Sequence, residues 1–240
     1  MEGSAMHWRI LCDFDGTIAL KDVTDSLLNR FALDGWEEIE DDWKAGRIGS
    51  RECMLRQVDL IRASQEELDQ HLDTIEIDPH FPAFVAFCKQ HKLPLTVVSD
   101  GLDYAIRRVL GRHNISLPIV ANHLDVLGGD RYRLSFPFAN EGCVKASGTC
   151  KCKIAENQLG SRDMRLLIGD GTSDQCAASS VDLVFAKDKL LSFCQERGLP
   201  YMAYRDFAQV KNLMASLLEE PFTLGALSNS RARLENSVNE

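Results

Sequence analysis

The run Leu11-Cys12-Asp13-Phe14-Asp15-Gly16-Thr17 places two aspartates one residue apart behind an apolar segment. Carboxylates this close repel each other, so a fold gains nothing from the pair unless a cation sits between them. Two other apolar runs end in the same kind of polar cluster: Val97-Val98 opens onto Ser99, Asp100 and Gly101, and Leu167-Ile168 onto Asp170, Gly171 and Asp174. Asp13, Asp15 and Asp170 offer oxygens suited to a hard cation, and an acid-rich site without histidine favours Mg²⁺ over zinc. A bound cation would also make an acid-lined site attractive to phosphate. An aspartate beside that metal can attack phosphorus. A second acid two residues on can protonate the leaving alkoxide and then activate water. Ser99 and the amides of Asp100 and Gly101 can hold phosphate oxygens, while a lysine neutralises the developing charge.

The elements that must position these groups follow from periodicity. Residues 7–14 read as a short buried strand. From Asp22 the period becomes helical: Leu27, Leu28 and Phe31 recur on one face, Asp22 and Thr24 are candidate caps, and Ser64-x-x-Glu67 is a capping box. Residues 21–78 are expected to form an inserted helical segment, ended by Asp78-Pro79 because proline disfavours helix in the residue before it. Beyond it, helices are expected over 81–91, 102–113, 153–159, 188–198 and 208–220. Strands are expected over 93–101, 164–171 and 181–187, and a glycine-turned β-hairpin over 119–136. Alternating strands and helices imply a Rossmann-like α/β fold with a mostly parallel sheet. Residues 1–20 and 79–223 would build that core, with 224–240 a polar tail. In such folds ligands bind beyond the carboxyl ends of the strands, where all three clusters lie.

Composition sets limits. The chain has 240 residues, 45% of them apolar, enough for one domain with a sizeable insertion. A net charge of −9 argues against a nucleic-acid partner. No segment approaches the roughly 18 apolar residues of a membrane span. The amino terminus lacks an export signal, so the eight cysteines are expected as reduced thiols in the cytoplasm. Cys143, Cys150 and Cys152 lack the two-residue spacing of zinc knuckles and have no histidine near them, so packed thiols are the favoured reading and zinc the lesser one. Cys12 would point to the opposite strand face from Asp13 and pack. His123 reads as a solvated loop residue in preference to a substrate contact, and the acids of Trp36–Trp43 as the exposed side of a helix. An EF-hand loop starting at Asp13 would need glycine and glutamate where Ile18 and Thr24 stand. A receiver-type phosphorylation domain would be about half this length and lack the helical insertion.

The set Asp-x-Asp-Gly-Thr, Ser99, a downstream lysine and Gly-Asp-Gly-x-x-Asp, in that order, resembles the haloacid dehalogenase superfamily of phosphatases, and the likeness runs from about residue 7 to 207. The insertion after the first motif resembles the cap of its phosphoserine-phosphatase-like branch. The resemblance implies a Mg²⁺-dependent phosphatase of a small phosphorylated metabolite. Asp13 would be the nucleophile and Asp15 the general acid and base, its carbonyl also on the metal. Ser99 would be a phosphate ligand, Thr17, Asp100 and Gly101 would lie on the substrate side, and Asp170 would bind the metal, with Asp174 a ligand or its neighbour. Lys145, Lys151 and Lys153 all precede the third motif. The family's lysine opens a helix with apolar residues three and four places on, which selects Lys151 (Ile154, Ala155) over Lys153 (Glu156, Asn157).

In phosphoserine phosphatases an acid in the cap's first turn holds the substrate amine and a cap arginine clamps its carboxylate. Asp22 falls at the first position, but Gln57 stands at the second, which speaks against phosphoserine. The cysteine-bearing stretch before Lys151 is similar to that of methionine-salvage phosphatases in the same superfamily. A phosphate-binding regulatory relative is the non-enzymatic alternative.

Overall fold

The structure, a computed structural model, describes residues 7–157 and 163–219. The expected tail and the last residues of the helix expected over 153–159 lie outside the described residues. Seven strands form one sheet: β1 (His7–Cys12), β2 (Leu95–Leu102), β3 (Ile119–Gly128), β4 (Arg131–Ser135), β5 (Asp163–Gly169), β6 (Leu183–Ala186) and β7 (Tyr201–Ala203). Their order is β4-β3-β2-β1-β5-β6-β7, parallel throughout except for the antiparallel β3–β4 hairpin. This is the expected α/β architecture.

A central parallel strand is covered on both faces and must be apolar on both. In β1, Ile10 and Cys12 enter one layer with Val97, Leu166 and Ile168, while Leu11 enters the other with Val98, Leu167 and Val184. Cys12 therefore packs in the core, as its alternation implies. The register sets Cys12 level with Val97 on one side and Ile168 on the other. Asp13 and Asp170 follow their strands at this end of the sheet, and Ser99 lies beside them at the irregular stretch of β2 between Val98 and Leu102. The chain builds β2, β3 and β4 on one side of β1 and then returns to the other side for β5, which makes this end the topological switch point.

The core helices are α5 (Phe81–Gln90), α6 (Asp103–Arg112), α7 (Lys151–Asn157), α8 (Gln175–Ala178), α9 (Asp188–Arg197) and α10 (Phe207–Glu219). Phe81 of α5 meets Phe207 of α10 edge to face at 4.8 Å, which locks these two helices together. Between β1 and α5 lie four more helices: α1 (Val23–Phe31), α2 (Trp36–Lys44), α3 (Ser50–Val58) and α4 (Gln65–Leu72). Asp22 caps α1 by accepting from the Asp25 amide at 2.8 Å. Ser64 and Glu67 form the capping box of α4. Leu27, Leu28, Leu68 and Leu72 turn inward and bury the apolar sides of α1 and α4.

The insertion leaves and rejoins the core at one place. Ala19 and Ile77 pair as an antiparallel bridge. The Leu20 amide donates to the Glu76 carbonyl (3.1 Å) and the Asp78 amide to that of Ile18 (2.9 Å). The buried Asp78 carboxylate accepts from the amides of His80 (2.8 Å) and Phe207 (3.0 Å), so it anchors the exit of the insertion to the start of α10. Farther out, Arg108 of α6 forks onto Asp73 beyond α4 at 2.7 and 2.6 Å, and Ser50 of α3 donates to Asp100.

Three local features differ from expectation. Strand β7 was not anticipated, since three residues at the sheet border carry too little pattern. His123 stands on strand β3 and not in a loop, its ring between Asp103 (2.9 Å) and Asp125 (3.0 Å). Glu40 does not share the exposed side of α2: its carboxylate accepts from the Gln57 amide at 3.0 Å.

Replacing Asp78 with alanine removes the acceptor for two backbone amides, one of them buried. The expected loss is about 3 kcal/mol, the scale of hydrogen bonds to a charged acceptor. Urea denaturation measures it, and an unchanged midpoint would show that the anchor contributes nothing.

Candidate active site

Asp13 follows β1 directly and is 4% exposed. Its Oδ1 accepts from the Phe14 amide at 2.8 Å and lies 2.7 Å from Lys151 Nζ. Lys151 opens α7, two residues earlier than the helix expected there, and is itself 2% exposed. The same ammonium reaches Asp174 Oδ1 at 2.7 Å and Ser173 Oγ at 3.2 Å. Lys153 lies outside this cluster, paired with Glu156 at 3.4 Å, and Lys145 is exposed.

Asp174 is fully enclosed. Its Oδ2 accepts from the amides of Asp170 and Gly171, each at 3.2 Å, and so fixes the turn after β5. Asp170 accepts from Thr17 Oγ1 at 2.8 Å. Thr17 is 1% exposed and its hydroxyl is engaged with that acid. Gly16 permits this close approach: with φ +70° it occupies the left-handed region, and a Cβ there would lie 2.5 Å from Asp170 Oδ2.

Asp15 is held by the Val23 amide, at the start of α1, at 2.8 Å and by Ser99 Oγ at 3.2 Å. Ser99 Oγ also accepts from the Gly101 amide at 2.8 Å. A Cβ on Gly101 would fall 2.7 Å from Asp15 Oδ2, so glycine keeps that space open. The Asp100 side chain turns away from Asp15. Its Oδ1 accepts from the Thr149 amide at 2.8 Å and from Asn122 Nδ2 at 3.2 Å, and Oδ2 takes the Ser50 hydroxyl. Asn122, which the sequence did not single out, is fully buried. It also accepts from Thr149 Oγ1 at 3.1 Å, tying the Asp100 region of β2 to the segment that delivers Lys151.

The charges are unbalanced. Burial first, and then the charge of Asp174, pushes the Asp13 carboxyl well above the ordinary carboxylate range despite the pull of Lys151. Burial, and then Asp22, pushes Asp15 up to about 7. Burial also raises Asp170. Burial works against the Lys151 ammonium, but Asp13 and Asp174 outweigh it and hold its pKa above that of a free lysine. We take Lys151 as charged and the acids as short of positive charge. Asp13, Asp170 and Asp174 carry oxygens within 4.8 Å of one another. Hard donors in excess of their single ammonium fit a small divalent cation.

In the inserted segment, Asp22 is exposed and caps α1. Gln57 is buried and donates to Glu40, whose charge bears on Asp22. Glu40 is thus an inward group linking the two positions named from the sequence. Only its place among the four other acids and two tryptophans of α2 was legible there, not its direction.

Residues 10–179 match the family profile described as haloacid dehalogenase-like hydrolase. A 2-hydroxy-3-keto-5-methylthiopentenyl-1-phosphate phosphatase of Geobacillus kaustophilus is 33% identical over 204 residues, 84% of this chain and 92% of that protein. One of an Exiguobacterium species is 29% identical over 212 residues, 87% of this chain and 98% of its own. A phosphoserine phosphatase solved as a phospho-aspartyl intermediate analogue superimposes with a TM-score of 0.63 at 18% identity, covering 87% of this chain and 99% of that one. The chain belongs to the haloacid dehalogenase-like hydrolase family, and it is an enzyme of the phosphatase class.

Lys151→Met leaves Asp13 and Asp174 facing each other in the interior. In chelator, the variant should lose roughly 3–5 kcal/mol of unfolding free energy, as when one partner of a buried ion pair is removed. Lys153→Met should leave the denaturation curve in place.

Proposed function

We propose that this enzyme hydrolyses a phosphate monoester of a small metabolite through a phosphoryl group carried on Asp13. The observation that carries the reading is the setting of Asp13: buried, bonded at one oxygen to the Phe14 amide and Lys151, and two residues from a second acid of opposite role. The Asp13 carboxylate attacks phosphorus as the ester P–O bond breaks. Asp15, whose carboxyl stays protonated toward neutral pH, gives its proton to the departing alkoxide oxygen. The resulting Asp15 carboxylate then takes a proton from water as that water attacks the phosphoryl-Asp13, releasing inorganic phosphate and restoring both acids. Ser99 and nearby backbone amides hold the phosphoryl oxygens, and Lys151 neutralises charge on them. Asp174 keeps Lys151 and the Asp170 turn in place.

Asp13, Asp170 and the Asp15 carbonyl would hold Mg²⁺, with Asp174 beside them. Bound there, it supplies the positive charge that lets phosphate approach this many acids. The segment 21–78 acts as the cap, excluding water while phosphoryl-Asp13 forms. We place the enzyme in the cytoplasm, where its thiols stay reduced.

For the substrate, we favour an enol or keto sugar phosphate of the kind processed in methionine salvage over phosphoserine. The relatives named above carry that activity. The Gln57 position, tied to Glu40, presents no guanidinium to a substrate carboxylate.

With p-nitrophenyl phosphate and Mg²⁺ the protein should release phosphate, and chelation should stop it. Asp13→Asn should lower kcat by at least about a thousandfold, the scale seen when a nucleophile is removed. Equal turnover by that variant would end the proposal. Among natural substrates, a ketose 1-phosphate should exceed phosphoserine in kcat/KM by at least about tenfold, given the absent carboxylate clamp. The reverse order would make the enzyme a phosphoserine phosphatase.

A further inference from the structure

The segment from 136 to 150 joins β4 to α7 without regular structure of its own, and such long connections in compact domains are uncommon unless something holds them. Little apolar surface is buried within it, and Val144 is 99% exposed. Its order comes from tight turns: the Cys143 amide donates to the Asn140 carbonyl (2.9 Å), the Ala146 amide to that of Cys143 (2.9 Å), and the Cys150 amide to that of Phe138 (3.0 Å). Ala146 adopts φ +45°, a conformation an alanine resists without external constraint.

These turns gather sulfur. Cys150 Sγ lies 3.3 Å from Cys152 Sγ. Cys143 makes a side-chain contact with Cys150, and Cys152 one with Cys176, which comes from α8 on the other side of the site. The fourth thiol changes the reading of the first three, because spacing along the chain could not bring it in. Backbone amides are aimed at the sulfurs: those of Lys145 and Ser147 at Cys143, that of Lys153 at Cys150, and that of Cys152 at Cys176. Asn140 Nδ2 adds a donor to Cys150 at 3.7 Å. Of the four, only Cys143 is drawn below the ordinary thiol range; burial is the largest influence on Cys150, Cys152 and Cys176 and raises all three, so a metal would have to displace their protons.

We propose that Cys143, Cys150, Cys152 and Cys176 form a structural zinc site. Four thiolates complete the coordination of zinc, and Zn–S bonds of about 2.3 Å set neighbouring sulfurs about 3.7 Å apart, close to the contact already present between Cys150 and Cys152. The sulfurs now form a line of contacts. The outer thiols, Cys143 and Cys176, turn inward about their Cα–Cβ bonds to close it into a tetrahedron. A disulfide uses two of the four sulfurs and, between Cys150 and Cys152, would have to close across Lys151 within the first turn of α7. Zinc uses all four. The site would sit at the base of the two loops that carry Lys151 and Asp174, and would fix them to each other.

The test is metal content of the full chain purified without chelator from zinc-supplemented medium. About one zinc per chain is expected, released by a mercurial thiol reagent, and cobalt in its place should give the intense near-ultraviolet sulfur-to-cobalt band that an all-oxygen site cannot produce. Cys143→Ser and Cys176→Ser should each lower zinc affinity at least about tenfold, while Cys53→Ser, in α3, should not. Should the serine variants fail to fold, the cobalt spectrum of the unaltered protein decides. A protein that holds no zinc and gives no such band overturns the proposal. So do folded serine variants that retain zinc fully, or a disulfide mapped among these four residues in the freshly purified chain.

Discussion

Bringing Asp13, Asp170 and Asp174 within 4.8 Å of one another is the condition on which the rest of the structure depends. At that spacing and an effective dielectric constant of about 20, each pair of like charges opposes folding by about 3 kcal/mol. Lys151 offsets part of this by touching two of the acids at once, and that double contact requires α7 to begin exactly where its first residue can reach both. What is left over is negative charge among enclosed carboxylates. A cation would relieve this imbalance, so the feature that burdens the fold would also suit phosphate chemistry.

The sheet meets the condition by register. Because β1, β2 and β5 are hydrogen-bonded neighbours, the three polar clusters lie side by side with no long-range adjustment. The remaining precision comes from buried amides and hydroxyls: Phe14 on Asp13, Val23 on Asp15, Thr17 on Asp170, and the Asp170 and Gly171 amides on Asp174. The Val23 contact is notable in kind. It ties Asp15 to the first helix of the insertion, so the posture of that helix and the orientation of Asp15 are linked.

Much of this was legible beforehand where a local rule applied. Apolar runs ending abruptly in Asp or Ser marked β1, β2 and β5, while the choice of Lys151 over Lys153 came from the resemblance to the family's lysine motif. The starts of α1 and α4 were announced by Asp22 and Ser64. Illegible were features set by contacts between distant residues. Strand β7 exists because β6 offers it a partner, not because Tyr201–Ala203 has a pattern. Asn122 and Cys176 acquire meaning only when the fold carries them to Asp100 and Cys152. Glu40 sits in an acidic run whose average is solvent-facing, and its inward turn follows from Gln57 across the gap between helices. Thr17 was read by its neighbourhood in the motif, whereas its environment, closed by Gly16 and Asp170, decides where its hydroxyl goes.

The pairing of Ala19 with Ile77 has a consequence for how such a chain can change. Everything between these two residues is looped out from a single closed doorway, and the sheet does not register its length. The insertion also touches the core through Val23 on Asp15, Ser50 on Asp100 and Asp73 on Arg108, so its helices can change freely only where those contacts are kept. The insertion and the sheet are thus joined by one two-residue bridge and by a few polar contacts farther out.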